Sequence, residues 1–219
     1  FINNEFVASK SNETMDVINP ATGETIDTIT FATEEEVNEA IEKSKHAQRE
    51  WEQVPAPTRA EHVKLLIPLL EQNKDELANL YVKEQGKTLA QAEGEIDKAV
   101  QFIDYMTSLS MSNKGEVLQN SVSNETIQLT KKPIGVTAGI VPWNAPIMVL
   151  MRKVIPALVT GCSVVIKPSE ETTLLTLRLA ELFRASTIPA GLVQILPGTG
   201  ETVGTCLLYT SDAADEEDS

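Results

Sequence analysis

Apolar residues recur along the first half of this chain at spacings of three and four, and along the last third in short unbroken runs. The helical texture opens at Thr33, which with Glu36 makes a capping box. Val37, Ala40, Ile41 and Ser44 then share one face, predicting a helix that ends near Trp51, before Pro55 and Pro57. A second box, Thr58 with Glu61, predicts a helix carrying Val63, Leu66, Ile67 and Leu70. Pro68 should kink or interrupt it, because proline has no N–H to donate. The pattern resumes through Leu77, Leu80 and Tyr81 and stops near Gly86; a third helix, roughly Thr88 to Met111, repeats Ala92, Ile96, Ala99, Ile103 and Met106. Ahead of all this, residues 1–31 read as short strands around the turn chemistry of Asn3-Asn4 and Asn19-Pro20-Ala21-Thr22-Gly23.

Residues 115–132 read as two strands about a polar turn at 121–125. Such a hairpin, projecting from a helical region, is either an arm that pairs with another subunit or an ordinary surface hairpin. From Pro133 the order becomes strand, loop, helix, repeated. Ile134 to Val141 is an apolar strand, and Pro146 to Thr160 a helix with one internal proline, Pro156. Ser163 to Ile166 is a β-branched run suited to burial on both faces, Leu174 to Ser186 a helix, and Leu192 to Leu196 a strand that leads to a helix start at Glu201. Strands alternating with helices predict an α/β fold with a Rossmann-like parallel sheet and flanking helices.

The net charge of −14 argues against a nucleic-acid partner, since no basic patch is available to neutralise phosphates. Cys162 and Cys206 offer neither a disulfide framework nor a metal spacing, His46 and His62 sit among polar helical residues, and no metal site is expected. No apolar run is long enough for a membrane span, and a cytoplasmic location is the expectation. The chain begins at Phe1 and not at Met, so a targeting segment upstream is left open.

In parallel sheets ligands gather at the carboxyl ends of strands, and three ends carry chemistry. Val141-Pro142-Trp143-Asn144 sets a side-chain amide just beyond a strand, either to donate to a developing oxyanion or to cap the next helix. Lys167-Pro168-Ser169-Glu170 sets a carboxylate and an ammonium where they could hold a ribose, or simply pair with each other. Gly198, Gly200 and Gly204 form G-x-G-x-x-x-G, one residue longer than the ordinary dinucleotide fingerprint, and serve equally as a phosphate-binding turn or a plain one.

Taken together and in this order, these motifs resemble the aldehyde dehydrogenase superfamily. The stretch GIVPWNAPIMVLMRKVIPALVTGCSVVIKPSE, residues 139–170, is similar to its cofactor-domain signature, and the likeness extends upstream through INPATGE, EQGKTLAQAEGE and the hairpin to cover residues 1–205. The resemblance implies NAD as cofactor, with NADP possible, and a small aldehyde as substrate. It assigns Asn144 to the oxyanion hole, and Lys167, Ser169 and Glu170 to the neighbourhood of the adenosine ribose. Ile140, Val141, Pro142 and Trp143 become cofactor contacts, and Gly200 and Gly204 the stretch that passes the adenine. It further implies that residues 1–114 and 133–205 form an NAD(P)-binding domain, incomplete here, and that residues 115–132 are an oligomerisation hairpin of a homo-oligomer. In this family a cysteine thiolate attacks the aldehyde and a glutamate activates water; both would lie beyond this chain, which alone is expected to be inactive.

Within the superfamily the pieces QFIDYM, GEVLQ and GVTAGIVPWNAP look most like lactaldehyde and glycolaldehyde dehydrogenases; a semialdehyde dehydrogenase and a non-catalytic relative are the alternatives. Arg152, about two helical turns past Asn144, stands where many relatives carry a bulky apolar residue and would suit an oxygen-rich short aldehyde. Ala145 replaces the usual aromatic, and Cys162 is read as a small buried residue and not a nucleophile. Glu170 favours NAD over NADP, because a carboxylate repels a 2′-phosphate. Residues 206–219, CLLYTSDAADEEDS, change composition abruptly and carry Asp212, Asp215, Glu216, Glu217 and Asp218 with no basic residue. They read as a non-native tail, the translation of a transposase-type sequencing adapter.

Overall fold

The computed structural model describes residues 1–112, 114–120 and 122–210. It begins with an antiparallel pair, β1 (Thr14–Ile18) and β2 (Thr25–Thr30), closed by a turn in which Gly23 adopts φ 75°. Helix α1 (Glu34–Trp51) starts with the expected reciprocal box: Thr33 accepts from the Glu36 N–H, and the Glu36 carboxylate accepts from the Thr33 N–H at 2.9 Å. Its buried face includes Val37, Ala40, Ile41, Ser44 and Trp51.

The helical hairpins that follow correct one expectation. Helix α2 (Ala56–Lys64) opens at Pro55 with no side-chain cap, so Thr58 and Glu61 do not form a box there. Pro57 explains this: a proline fits the first turn, where its missing N–H is no loss, and the helix therefore starts ahead of Thr58. Pro68 acts as expected, through its ring's conflict with the carbonyl four residues back, that of Lys64; α2 ends at that residue and α3 (Leu66–Gln72) begins anew. A further break at Asn73, whose side chain donates to the Leu69 carbonyl at 2.8 Å, was not foreseen; α4 (Lys74–Gln85) runs from it to the left-handed Gly86. Helix α5 (Leu89–Ser108) is capped by Thr88 and tightens into a 3-10 turn at Leu109–Ser112.

Strands β3 (Glu116–Gln119) and β4 (Thr126–Leu129) pair antiparallel, and every residue in them is exposed. Part of their connecting turn, Ser121, lies outside the described residues. The remainder is the expected alternation: β5 (Val136–Ile140), α6 (Pro146–Thr160), β6 (Ser163–Lys167), α7 (Thr173–Ala185) and β7 (Val193–Ile195), then a π-turn at Gly200–Gly204 running into α8 (Thr205–Thr210). The fold is thus α/β, with a parallel sheet in the order β5-β6-β7 and helices on both faces. Residues 205–210 form one helix across the position where the tail was expected to begin, and Leu207 is buried. The acidic residues from Asp212 onward lie outside the described residues.

Alternation along β6 divides the interior in two. Val164 and Ile166 enter a core shared with α4 to α7, whereas Val165 meets Val37, Ala40, Ile41, Leu196, Val203 and Leu207 on the α1 side. A parallel strand covered on both faces must be apolar throughout, which is why its signal was a continuous run. Among the described residues one buried polar side chain, Thr172 with its Oγ1, lacks a hydrogen-bond partner, and the others are satisfied. Gln194, fully buried in β7, accepts from the Asn3 N–H and donates to the Ala40 and Gly191 carbonyls. From α1, Gln48 donates to the Gly161 carbonyl at 3.0 Å and Trp51 to that of Leu158 at 2.8 Å, while Arg59 of α2 donates to Val159 at 3.1 Å. These bonds close the carboxyl end of α6 just before β6 begins.

Glu84 of α4 performs the corresponding task at the start of α7. Its carboxylate oxygens accept the N–H groups of Leu174 and Leu175 at 2.7 and 2.8 Å. Burial raises its pKa from 4.5 to about 7, outweighing the two N–H bonds, which pull it down. The folded state therefore keeps a proton that the unfolded chain has released. This contribution to stability is fully present below the unfolded value of 4.5 and is lost as pH rises through about 7. Thermal unfolding followed from about pH 4 to about pH 8 should show a falling midpoint, and Glu84→Gln should flatten that fall; an equal slope in both proteins would refute the assignment.

Candidate cofactor and oxyanion site

The register of the sheet brings the three strand ends together. Ile140 lies opposite Lys167, the Val141 N–H donates to the Lys167 carbonyl at 2.9 Å, and the Leu196 N–H donates to Ile166 at 2.8 Å. Lys167, the last residue of β6, is the common neighbour: it ends beside β5 on one side, and its aliphatic stem faces Gly204 on the other, 3.8 Å from where a Cβ on that glycine would be.

Lys167 and Glu170 form an ion pair of 3.1 Å, but not the surface pair that their sequence allowed. The lysine side chain is 4 % exposed and that of Glu170 31 %. The ammonium also donates to the Pro168 carbonyl at 2.9 Å, leaving one of its three N–H groups over. Glu170 Oε1 has no hydrogen-bond partner among the described residues. The pair therefore keeps one donor and one acceptor at the open end of the sheet, which fits the two vicinal hydroxyls of a ribose. Ser169 turns its hydroxyl to the Glu171 N–H at 3.3 Å and starts the short 3-10 turn Glu170–Thr172.

The glycines divide by role. A Cβ on Gly198 would fall 2.2 Å from Val203 Cγ2, so that glycine is required by packing alone. At Gly200 a Cβ would meet nothing, and the residue borders open space at the first turn beyond β7. Thr199 caps that turn, accepting from the Thr202 N–H at 3.1 Å. The open space beside Gly200 is what a flat ligand group passing this edge would need.

Of the two readings of Asn144, the structure excludes the helix cap: the residue does not cap α6, whose N-cap is Ala145 and which has no side-chain cap. Its amide makes no hydrogen bond among the described residues and it is exposed, as are Ile140, Pro142 and Trp143; Val141 is buried beneath them. Arg152 is exposed on α6, roughly 9 Å along the axis from the helix start, and is not brought into contact with the strand ends. Pro156 has no N–H to offer the Arg152 carbonyl, four residues back.

What the residue pattern missed is the support beneath Asn144. Lys87, in the loop after α4, donates to the Asn144 carbonyl at 3.1 Å, to Glu95 at 2.7 Å and to the Tyr81 hydroxyl at 2.6 Å. Tyr81 donates to Glu95 at 2.8 Å, and the other Glu95 oxygen accepts the Met148 N–H of α6 at 3.1 Å. Burial, and then the Glu95 carboxylate, hold the Tyr81 hydroxyl far above its ordinary pKa, so it stays a donor. A signal was present. Glu95 falls on the apolar face of α5 beside Ala92, Ile96 and Ala99, and a buried carboxylate there requires a partner.

Among the described residues no group of acidic, histidine and cysteine side chains could hold a metal ion, and no helix is long and apolar enough to cross a membrane. Cys162 is buried at the start of β6, at the opposite end of that strand from Lys167.

Known proteins match this chain over most of its length. Glutarate-semialdehyde dehydrogenase of Pseudomonas putida is 37% identical over 204 residues, 93% of this chain and 42% of that protein. Lactaldehyde dehydrogenase of Escherichia coli is 37% identical over 93% of this chain and 43% of its own length. The structure of a 3,6-anhydro-L-galactose dehydrogenase in complex with NAP, the NADP cofactor, superposes with a TM-score of 0.91 at 36% identity, covering 95% of this chain and 44% of the other. The chain thus spans less than half the length of the relatives it matches. A profile of the Aldehyde dehydrogenase family matches residues 6–214, and on these grounds the chain belongs to the aldehyde dehydrogenase family.

Proposed function

We propose that this chain supplies the cofactor-binding part of an NAD(P)-dependent aldehyde dehydrogenase that oxidises a small hydroxyaldehyde to its acid. One observation carries the reading: a free side-chain amide at Asn144 and a half-satisfied Lys167–Glu170 pair stand at adjacent ends of one parallel sheet. A dinucleotide cofactor, when bound, would accept hydride from the substrate. Lys167 and Glu170 would hold its ribose, with Gly200 and Gly204 leaving the sheet edge clear. Ile140, Val141, Pro142 and Trp143 would line its path, and Ser169 would fix the loop that carries Glu170. Asn144 would donate to the oxygen that gains charge when a thiolate from the remainder of the enzyme attacks the aldehyde. A donor placed there beforehand stabilises that charge by a few kcal/mol.

The hairpin supports a homo-oligomer. Val117, Leu118, Ile127 and Leu129 are all at least 45 % exposed and occupy both faces of β3 and β4, more apolar surface than a solvent-facing ribbon needs. A semialdehyde substrate is the second reading. It draws on the likeness to glutarate-semialdehyde dehydrogenase and on Arg152, whose guanidinium would suit a substrate carboxylate as well as a hydroxyl.

Two measurements on the full-length enzyme test these assignments. Glu170→Gln should weaken NAD binding and improve NADP binding, because the carboxylate that repels a 2′-phosphate is gone; an unchanged ratio of the two dissociation constants would remove Glu170 from the cofactor site. Arg152→Leu should cut kcat/KM for hydroxyaldehydes or semialdehydes relative to a simple alkanal on the order of tenfold, about one charge-assisted hydrogen bond. The substrate class that suffers most identifies the natural one, and equal losses for all three would exclude Arg152 from substrate binding.

A further inference from the structure

Asn144 follows a strand and stands one residue before the N-cap of α6, near enough for its side chain to compete for the first N–H groups of the helix. It does not, and the groups that meet this turn come from 53 and 57 residues away in the chain. Glu95 reaches across from α5 and accepts the Met148 N–H, so a first-turn donor of α6 is already satisfied. The same carboxylate holds Lys87, whose ammonium spends its three N–H groups on Glu95, Tyr81 and the Asn144 carbonyl. The lysine side chain is 17 % exposed and that of Glu95 8 %, so neither is an ordinary surface charge free to wander. The backbone of Asn144 is therefore gripped from below by its own carbonyl, while its amide is left with nothing to bind.

We propose that Lys87 and Glu95 are positioning residues for the oxyanion donor: they fix the backbone of Asn144 and take over the capping duty that would otherwise claim its side chain. The proposal rests on the reading of Asn144 as the oxyanion donor given above. Neither residue touches the substrate in this account. Lys87 acts through one carbonyl, and Glu95 through Lys87 and the Met148 N–H. Tyr81 completes the cluster with a hydroxyl whose proton is directed to Glu95.

Displacing a catalytic group by about an ångström costs on the order of 10²-fold in rate, and that sets the expected effect. In the full-length enzyme, Lys87→Met should lower kcat by about that factor, with the KM for aldehyde and the dissociation constant for NAD little changed. Lys87→Arg, which keeps a charged donor, should recover much of the loss. The decisive comparison is a cycle with Asn144→Ala. If Lys87 acts through Asn144, Lys87→Met should cost little further once the amide is gone. Multiplicative losses would overturn the proposal, as would a normal kcat in Lys87→Met. A normal kcat in Asn144→Ala alone would instead overturn the reading of the site. Should Lys87→Met lose its fold, Glu95→Gln carries the same cycle: a loss of kcat that disappears in the Asn144→Ala background supports the proposal, and one that persists there refutes it.

Discussion

A parallel strand buried on both faces can be reached by a ligand only at its end, and β6 imposes that constraint on the whole molecule. All five of its residues are buried. The faces of the sheet are closed by α1 on one side and by α6 and α7 on the other, so whatever chemistry the sheet presents must stand at Lys167 and its neighbours. The flanking elements then follow. β5 and β7 bring their own ends level with Lys167 because parallel pairing fixes their register residue by residue. A slip of one residue would turn Val165 from the α1 face to the opposite core and expel Val164 and Ile166 with it.

The amino end of the same strand is held with equal care, though nothing chemical happens there. Ser163 donates to the Ser44 carbonyl, Ser44 to the Gly191 carbonyl, and Gln48, Trp51 and Arg59 take the last carbonyls of α6. Each bond pairs a group that would otherwise be buried without a partner, at a cost of roughly 1–3 kcal/mol if left unpaired. Placing the strand by its silent end leaves the other end free to keep unspent donors and acceptors. Cys162 belongs to the silent end, which accounts for its burial without assigning it any reaction.

Where sequence and structure agree, the cause is local. The Thr33–Glu36 box, the stop at Gly86, the Lys64–Leu65 break ahead of Pro68 and the β-branched run of β6 each follow from side chains within a few residues of one another. The lost Thr58–Glu61 box is also local, and shows only that Pro57 outranked it. The candidate site was legible to the same degree, because Asn144, Lys167, Glu170 and the glycines lie on contiguous stretches at strand ends. What was not legible is which of their two readings each would take. For Gly198 that depends on how the next turn folds, and for Asn144 on residues far off in the chain. Gly198 is a packing glycine because Val203 folds back on it, and Asn144 is free because Glu95 is not.

Glu84 and Glu95 answer one problem in the same way. Both βα connections at the site lead into helices without a side-chain cap of their own, α6 and α7. Both receive a carboxylate from the α4–α5 layer instead, Glu95 on the Met148 N–H and Glu84 on those of Leu174 and Leu175. A helix start favours negative charge, although at Glu84 burial outweighs that effect and raises the pKa to about 7. The consequence of the arrangement is that the strand-end loop residues, Asn144 on one connection and Glu170 on the other, need not cap α6 or α7. A local cap would have been simpler to encode and would have consumed the groups that the site has to offer. The two buried carboxylates on otherwise apolar helix faces thus cap α6 and α7 from the α4–α5 layer, and leave the strand-end side chains unspent.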